Sequence, residues 1–280
     1  MFTKLLKYEW KATAGLLGML SLAALSCATV GGFILRFMLG HLEPEMEYDP
    51  ALAVIMTPIS LLLVFLILAL VIYMVAVQFL LLRRFYKNKF TDEGYLTFTL
   101  PASSHEIFLS SLANMLLWSL LSGIVLGVSI LVMFLIGMWG IEGLGMDMGT
   151  VYDAYAAEFA AMMKLPGYAT YRFISWLGGV VSWFCGPVQM MSCVTVGAVW
   201  AKKHKILTAV GIYYFLNVIV STILGSLSSI IAMNEYNSLD VLYGTGSLTV
   251  QGIQILLTAC LAVGGYFLSV HLMNKKLNLA

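Results

Sequence analysis

The chain has 280 residues, of which 61% are hydrophobic and only 10% charged, and its formal net charge is +1. Soluble globular domains carry about 25% charged residues, so this composition excludes an ordinary water-soluble domain. Cations and anions nearly balance, which leaves no basic face for nucleic acid. Cys27, Cys185, Cys193 and Cys260 all lie inside apolar segments without metal-ligand spacing, and read as reduced core residues.

The opening "MFTKLLKYEWKA" predicts a short amphipathic helix over residues 2–11. Phe2, Leu5, Leu6 and Trp10 gather on one face and Lys4, Lys7 and Lys11 on another. Such a helix can lie in the headgroup layer as an elbow, with Lys4, Lys7, Trp10 and Lys11 at the membrane surface. An ordinary basic flank that only sets topology is the alternative. The apolar run that follows is longer than that of a signal peptide, and "LAALSCA" has Ala24 where a lipoprotein site expects leucine. An uncleaved membrane helix is expected.

A helix rises about 1.5 Å per residue, so about 20 apolar residues cross a hydrocarbon core about 30 Å thick. Six stretches qualify: residues 13–40, 51–82, 107–139, 172–201, 206–232 and 251–273. The fold class expected is therefore an all-α integral membrane protein with six transmembrane helices in one domain over 1–280.

The connections alternate in charge. One set holds Lys4, Lys7, Lys11, Arg83, Arg84, Lys87, Lys89, Lys202, Lys203, Lys205, Lys275 and Lys276, most of the 15 Lys and Arg residues. The other holds Glu43, Glu45, Glu47, Asp49, Glu142, Asp147, Asp153, Glu158, Glu235 and Asp240, with Lys164 as its clear cation. Excess cations mark the cytoplasmic side. Both termini and residues 83–106 are expected inside, and an insertion at 140–168 outside. Within it, "TVYDAYAAEFAAMMKLPG" predicts an external helix with Thr150 as N-cap, Pro166-Gly167 as its stop, and Val151, Tyr155, Phe159 and Met162 packed on the bundle.

Catalytic signatures do not appear. The chain has no G-x-x-x-x-G-K-[ST] phosphate loop and no G-x-S-x-G elbow, and His105-Glu106 lacks a second histidine because Leu109 stands there. Arg36 and Arg172 enter apolar spans only near their outer ends, where long side chains reach water. An ion-coupled engine would place ionisable residues at mid-membrane. No catalytic residue, metal ligand or cofactor is expected in this chain. Two stripes of small or weakly polar residues stand out instead: Ala14, Gly18, Ser21, Ala28 and Gly32, and Tyr214, Asn217, Ser221, Gly225 and Ser228. Each can serve close helix packing; alternatively one lines a substrate path, with Tyr214, Asn217 and Ser221 as contacts. Gly186-Pro187 is expected to kink the fourth span.

The loop "RRFYKNKFTDEGYLTFTLPASSHE" carries more local organisation. Thr91 can cap a turn whose Asp92 and Glu93 suit the positive end of a helix dipole. Gly94 and Pro101 limit its length, and Ser103-Ser104-His105-Glu106 forms a capping box for the third span. A short helix held crosswise between two long ones is suited to docking; an idle connection is the alternative.

"RFYKNKFTDEGYLTFTLP", with its polar helix start, resembles the cytoplasmic loop of ABC-2 type transporter permeases of Gram-positive bacteria. "KLLKYEWKA" and "KKLNL" resemble the ends of those proteins. The resemblance covers the whole chain in layout and about thirty residues in motif. It implies an elbow at 2–11, a coupling helix at 91–97 and a bacterial plasma-membrane location. It also implies a soluble ABC ATPase partner that binds ATP and magnesium, and a second permease copy or sister permease. Phe90, Thr91, Asp92, Glu93, Gly94, Tyr95 and Leu96 would contact the ATPase. The family's external re-entrant segment lies between the fifth and sixth spans, whereas the longer outer insertion here follows the third. The function implied is export of an amphipathic substrate. A sensory or immunity subunit working with an ATPase is the alternative, and an intramembrane enzyme lacks a nucleophile or metal constellation.

The charge alternation yields a direct test. Single cysteines at Asp49, Asp153 and Lys87, in a background without native cysteines, are exposed to an impermeant thiol reagent on intact cells. The first two should be labelled and the third protected; labelling at position 87 reverses the scheme.

Overall fold

The structure, a computed structural model, describes residues 2–41, 50–91, 94, 102–139, 148–201, 204–234 and 243–275. Seven helices make up the architecture among these residues: α1 (Phe2–Leu39), α2 (Pro50–Phe90), α3 (Ser104–Met138), α4 (Met148–Met163), α5 (Tyr168–Trp200), α6 (Lys205–Asn234) and α7 (Thr245–Lys275). All but α4 are long and apolar enough to cross a membrane, six candidate spans among the described residues. The chain is a multi-pass, all-helical membrane protein. Helices are what the solvent demands, because hydrocarbon cannot hydrogen-bond a free backbone group and each helix satisfies its own.

Several local details depart from expectation. Residues 2–11 are helical and run into the first span within one helix, Phe2–Leu39. No glycine or proline interrupts "LLKYEWKATA". Thr13 Oγ1 donates to the carbonyls of Glu9 and Trp10, both at 3.0 Å, and ties its hydroxyl across the join. Thr150 lies inside α4 rather than capping it, since that helix begins at Met148. Side chains of α4 from Tyr152 onward are exposed, so Tyr155, Phe159 and Met162 do not pack on the bundle as expected.

Other expectations hold. The 41 residues of α2 correspond to about 60 Å of helix, roughly twice the hydrocarbon thickness. It runs past Arg83 to Phe90, as the length of its apolar run predicts. The capping box forms at α3, where Ser103 N donates to Glu106 Oε2 (3.2 Å) and Glu106 N to Ser103 Oγ (3.3 Å). Pro166-Gly167 ends the turn after α4. Gly167 has φ +82°, and a methyl group there would stand 2.5 Å from the Tyr243 carbonyl oxygen. Only glycine meets both conditions.

The chain divides into two compact units, one of residues 1–83 with 113–146 and one of 84–112 with 147–280. In the first, glycine brings α1 against α3. A methyl group on Gly32 would lie 2.8 Å from Ile136 Cβ, and one on Gly137 2.5 Å from Leu35 Cδ2. Trp10 stacks on Trp118 at 4.8 Å between ring centroids, and Trp118 Nε1 donates to Thr13 Oγ1 at 2.9 Å. Ser21 and Tyr73 share a hydroxyl hydrogen bond at 3.0 Å. Leu17, Ala28 and Val77 are buried.

In the second unit α5, α6 and α7 pack on one another. Gly197 lets α5 meet α6, since a methyl there would sit 2.9 Å from Ala209 Cβ and 2.9 Å from its backbone nitrogen. Gly265 does the same for α7 against Ser192 Oγ, at 2.7 Å. Overpacking a tight contact costs about 1–3 kcal/mol. Gly197→Leu should therefore lower the melting temperature and the monodisperse yield in detergent. Gly211→Leu, where nothing lies within 4 Å, should leave both unchanged. Equal tolerance of the two would remove Gly197 from the packing of this unit.

Candidate functional site

A cleft of about 620 Å³ opens within the second unit, walled by α5, α6 and α7. Its lining on α6 is Ile212, Tyr213, Leu216, Asn217, Val220, Ser221 and Leu224. That is one helical face, since residues three and four apart are neighbours. Gln189 and Ser192 line it from α5, and Gln254 and Thr258 from α7. Leu261 and Leu268 add apolar wall, and Trp200 borders the cleft. Among the described residues the lining holds no Asp, Glu, Lys, Arg or His.

Two of the three residues expected on a path, Asn217 and Ser221, line this cleft. Tyr214 does not. It is 71% exposed on a neighbouring face of α6, and Tyr213 takes the position in its place. The reason is register. The lining positions 212, 213, 216, 217, 220, 221 and 224 spread over about half of the helix circumference, and 214 falls just past the edge of that face, about 20° beyond 221. Gln189, Ser192, Gln254 and Thr258 escaped sequence reading because single polar residues on three separate helices form no pattern in one dimension. The spacing of Gln254 and Thr258, four apart, was the available signal.

The polar side chains are already engaged with backbone. Asn217 Nδ2 donates to Tyr213 O (2.8 Å), and Gln189 Nε2 to Thr258 O (3.1 Å). Ser192 Oγ donates to Val188 O (2.7 Å), Ser221 Oγ to Val218 O (3.0 Å) and Thr258 Oγ1 to Gln254 O (2.8 Å). This is the usual back-bonding of hydroxyls to carbonyls three or four residues earlier.

The stripe on α1 has a different fate. Ala28 and Gly32 are buried, Gly32 meets α3, and Ser21 bonds Tyr73, so there the stripe serves helix packing. At the N-terminus Lys4, Lys7 and Lys11 are exposed, as a membrane-surface role requires. Trp10 is spent on Trp118 instead.

The loop residues divide likewise. Phe90 is 8% exposed, stacked with Tyr86 and edge-on to Phe85, so it anchors the end of α2 within this chain. Thr91 Oγ1 donates back to Lys87 O, the last turn of α2. Gly94 is helical and buried, its N–H donating to Thr91 O at 2.7 Å. Asp92, Glu93, Tyr95 and Leu96 lie outside the described residues. Beside the loop, His105 Nδ1 is 2.8 Å from the Tyr266 hydroxyl, and Ser104 Oγ donates to Asn274 Oδ1, which joins the start of α3 to the end of α7. Phe108 packs edge-on against Tyr266 at that junction.

Among the described residues no group of three or more His, Cys, Asp and Glu side chains could hold a metal ion. No protein-family model, curated protein or solved structure matches this chain.

Proposed function

We propose that this chain is the permease subunit of an ATP-driven exporter of ABC-2 type, moving an amphipathic substrate across a bacterial plasma membrane. The observation that carries the reading is the cleft between α5, α6 and α7, apolar in its walls and dotted with uncharged amides and hydroxyls. Such a cleft suits a molecule with an apolar body and a few polar groups. Uncharged walls offer no site for a coupling proton or ion, so the work of transport comes from a separate soluble ATPase. A second permease copy or sister permease completes the membrane part. The loop at 83–106 is where the ATPase would push, with both termini on the same cytoplasmic side.

In this mechanism the chain performs no covalent chemistry. ATP binding draws the partner's nucleotide-binding subunits together, and the loop passes that movement to α2 and α3. Substrate bound in an inward-open cleft is then exposed outward.

Two measurements test it. In vesicles holding the permease and its ATPase, efflux should depend on ATP, and Asn217→Leu should alter substrate selectivity or substrate-stimulated ATP hydrolysis while assembly persists. If the variant fails only by not assembling, Asn217 belongs to packing. Second, Glu93→Lys should leave the permease in the membrane but abolish efflux, through loss of co-purifying ATPase or hydrolysis no longer linked to transport. An unmatched buried charge at a contact costs about 2–5 kcal/mol, against about 0–1 for an exposed pair. Normal efflux and normal ATPase binding in Glu93→Lys would remove this loop from force transmission.

A further inference from the structure

We infer that the α5–α6–α7 cleft selects amphipaths whose headgroup donates hydrogen bonds, ammonium or hydroxyl, and rejects acceptor-only anions such as carboxylates; as a statement about the substrate, this rests on the transport reading above. The reason is where the protons of the lining point. A serine or threonine hydroxyl has one proton and two lone pairs. Ser192, Ser221 and Thr258 each direct that proton to a carbonyl of their own helix. What remains for a ligand is lone pairs.

The amides tip the same way. Asn217 Nδ2 is turned to Tyr213 O, and Gln189 Nε2 crosses to Thr258 O. Each keeps one further N–H, but its carbonyl oxygen has two lone pairs and receives no hydrogen bond from these contacts. Tyr213, Gln254 and Ser182 also line the cleft and can donate or accept. The balance is therefore acceptor-rich, not acceptor-only. Among the described lining residues there is neither a cation to neutralise an anion nor an anion to neutralise a cation, so the hydrogen-bonding balance decides which sign is tolerated. A ligand ammonium meets several oxygens, and the aromatic rings of Trp200 and Tyr213 at the cleft can add cation–π attraction.

The test uses the full chain in phosphatidylcholine nanodiscs without any ATPase. Saturable binding of dodecylamine and of dodecanoate is measured by calorimetry at neutral pH, the two probes sharing a chain and differing in headgroup. Dodecylamine should bind at least about tenfold more tightly, equivalent to one or two net hydrogen bonds. Asn217→Lys puts a donor and a positive charge into the cleft, and should weaken dodecylamine about tenfold while admitting dodecanoate. Gln254→Lys, on a different helix, should shift the preference the same way, so a folding defect in one variant does not decide the outcome. Dodecanoate binding as tightly as dodecylamine to the wild type, or a preference unmoved in both lysine variants, overturns the assignment. Efflux separates it from the transport reading. Donor preference without ATP-driven efflux leaves a binding site and removes the exporter, whereas efflux without donor preference keeps the exporter and removes the ligand class.

Discussion

The structure depends on one constraint: hydrocarbon gives no hydrogen bond to a backbone amide or carbonyl. Each span must satisfy its own backbone, and so each becomes a helix. Side-chain hydroxyls inherit the same problem, because a buried O–H without a partner is costly. Most of those described solve it locally, Ser129 Oγ being a buried exception. Ser21, Ser110, Ser122, Thr195, Ser221 and Ser269 all donate to a carbonyl three or four residues earlier on their own helix. Such bonds satisfy the donor without requiring any neighbour, so these residues are equally at home against another helix, facing lipid or lining a cleft.

That leaves association between helices to close approach. Lipid tails are as apolar as leucine, so burying an apolar side chain gains little inside a bilayer and contact between smooth surfaces gains more. Gly32 and Gly137 between α1 and α3, and Gly197 and Gly265 around α5, stand where any side chain would collide. Other glycines of the same spans, such as Gly18, Gly127 and Gly225, have open space around them. The same residue type therefore marks packing at some positions and nothing structural at others. Close packing at Gly197 and Gly265 also frames the cleft, because α5, α6 and α7 are pinned there and leave room between Gln189, Asn217 and Thr258.

A cleft without charge has consequences for energetics. It binds through shape and a few weak polar contacts, each worth about 0.5–1.5 kcal/mol net, and its described lining holds no carboxylate, histidine, lysine or arginine to couple substrate movement to an ion gradient. On the proposed reading, the force must enter through the loop after α2. The way α2 extends past its basic residues and ends on the Phe85–Phe90 contact, while α3 restarts on a capping box, gives that loop two fixed ends. A stiff frame suits mechanical transmission better than a slack connection does.

Charge and hydropathy alone determined the fold class and the span count, because the cost of backbone and charge in hydrocarbon acts on composition and not on tertiary detail. The capping box at Ser103–Glu106, the stop at Pro166-Gly167 and the length of α2 were legible for a similar reason: each depends on residues close together in the chain. Tertiary structure alone decided which stripe packs and which lines a cleft, since Ser21 and Ser221 look alike until a neighbouring helix brings Tyr73 to one and leaves space beside the other. It also decided that Tyr213 and not Tyr214 faces the cleft, because the rotation of α6 is fixed only where it meets its neighbours, as at Ala209 against Gly197. Phe90 and Trp10 went inward for the same cause. An aromatic ring near a helix end is attractive to a partner or a membrane surface, but a ring within reach of Phe85 or Trp118 is claimed first by its own chain.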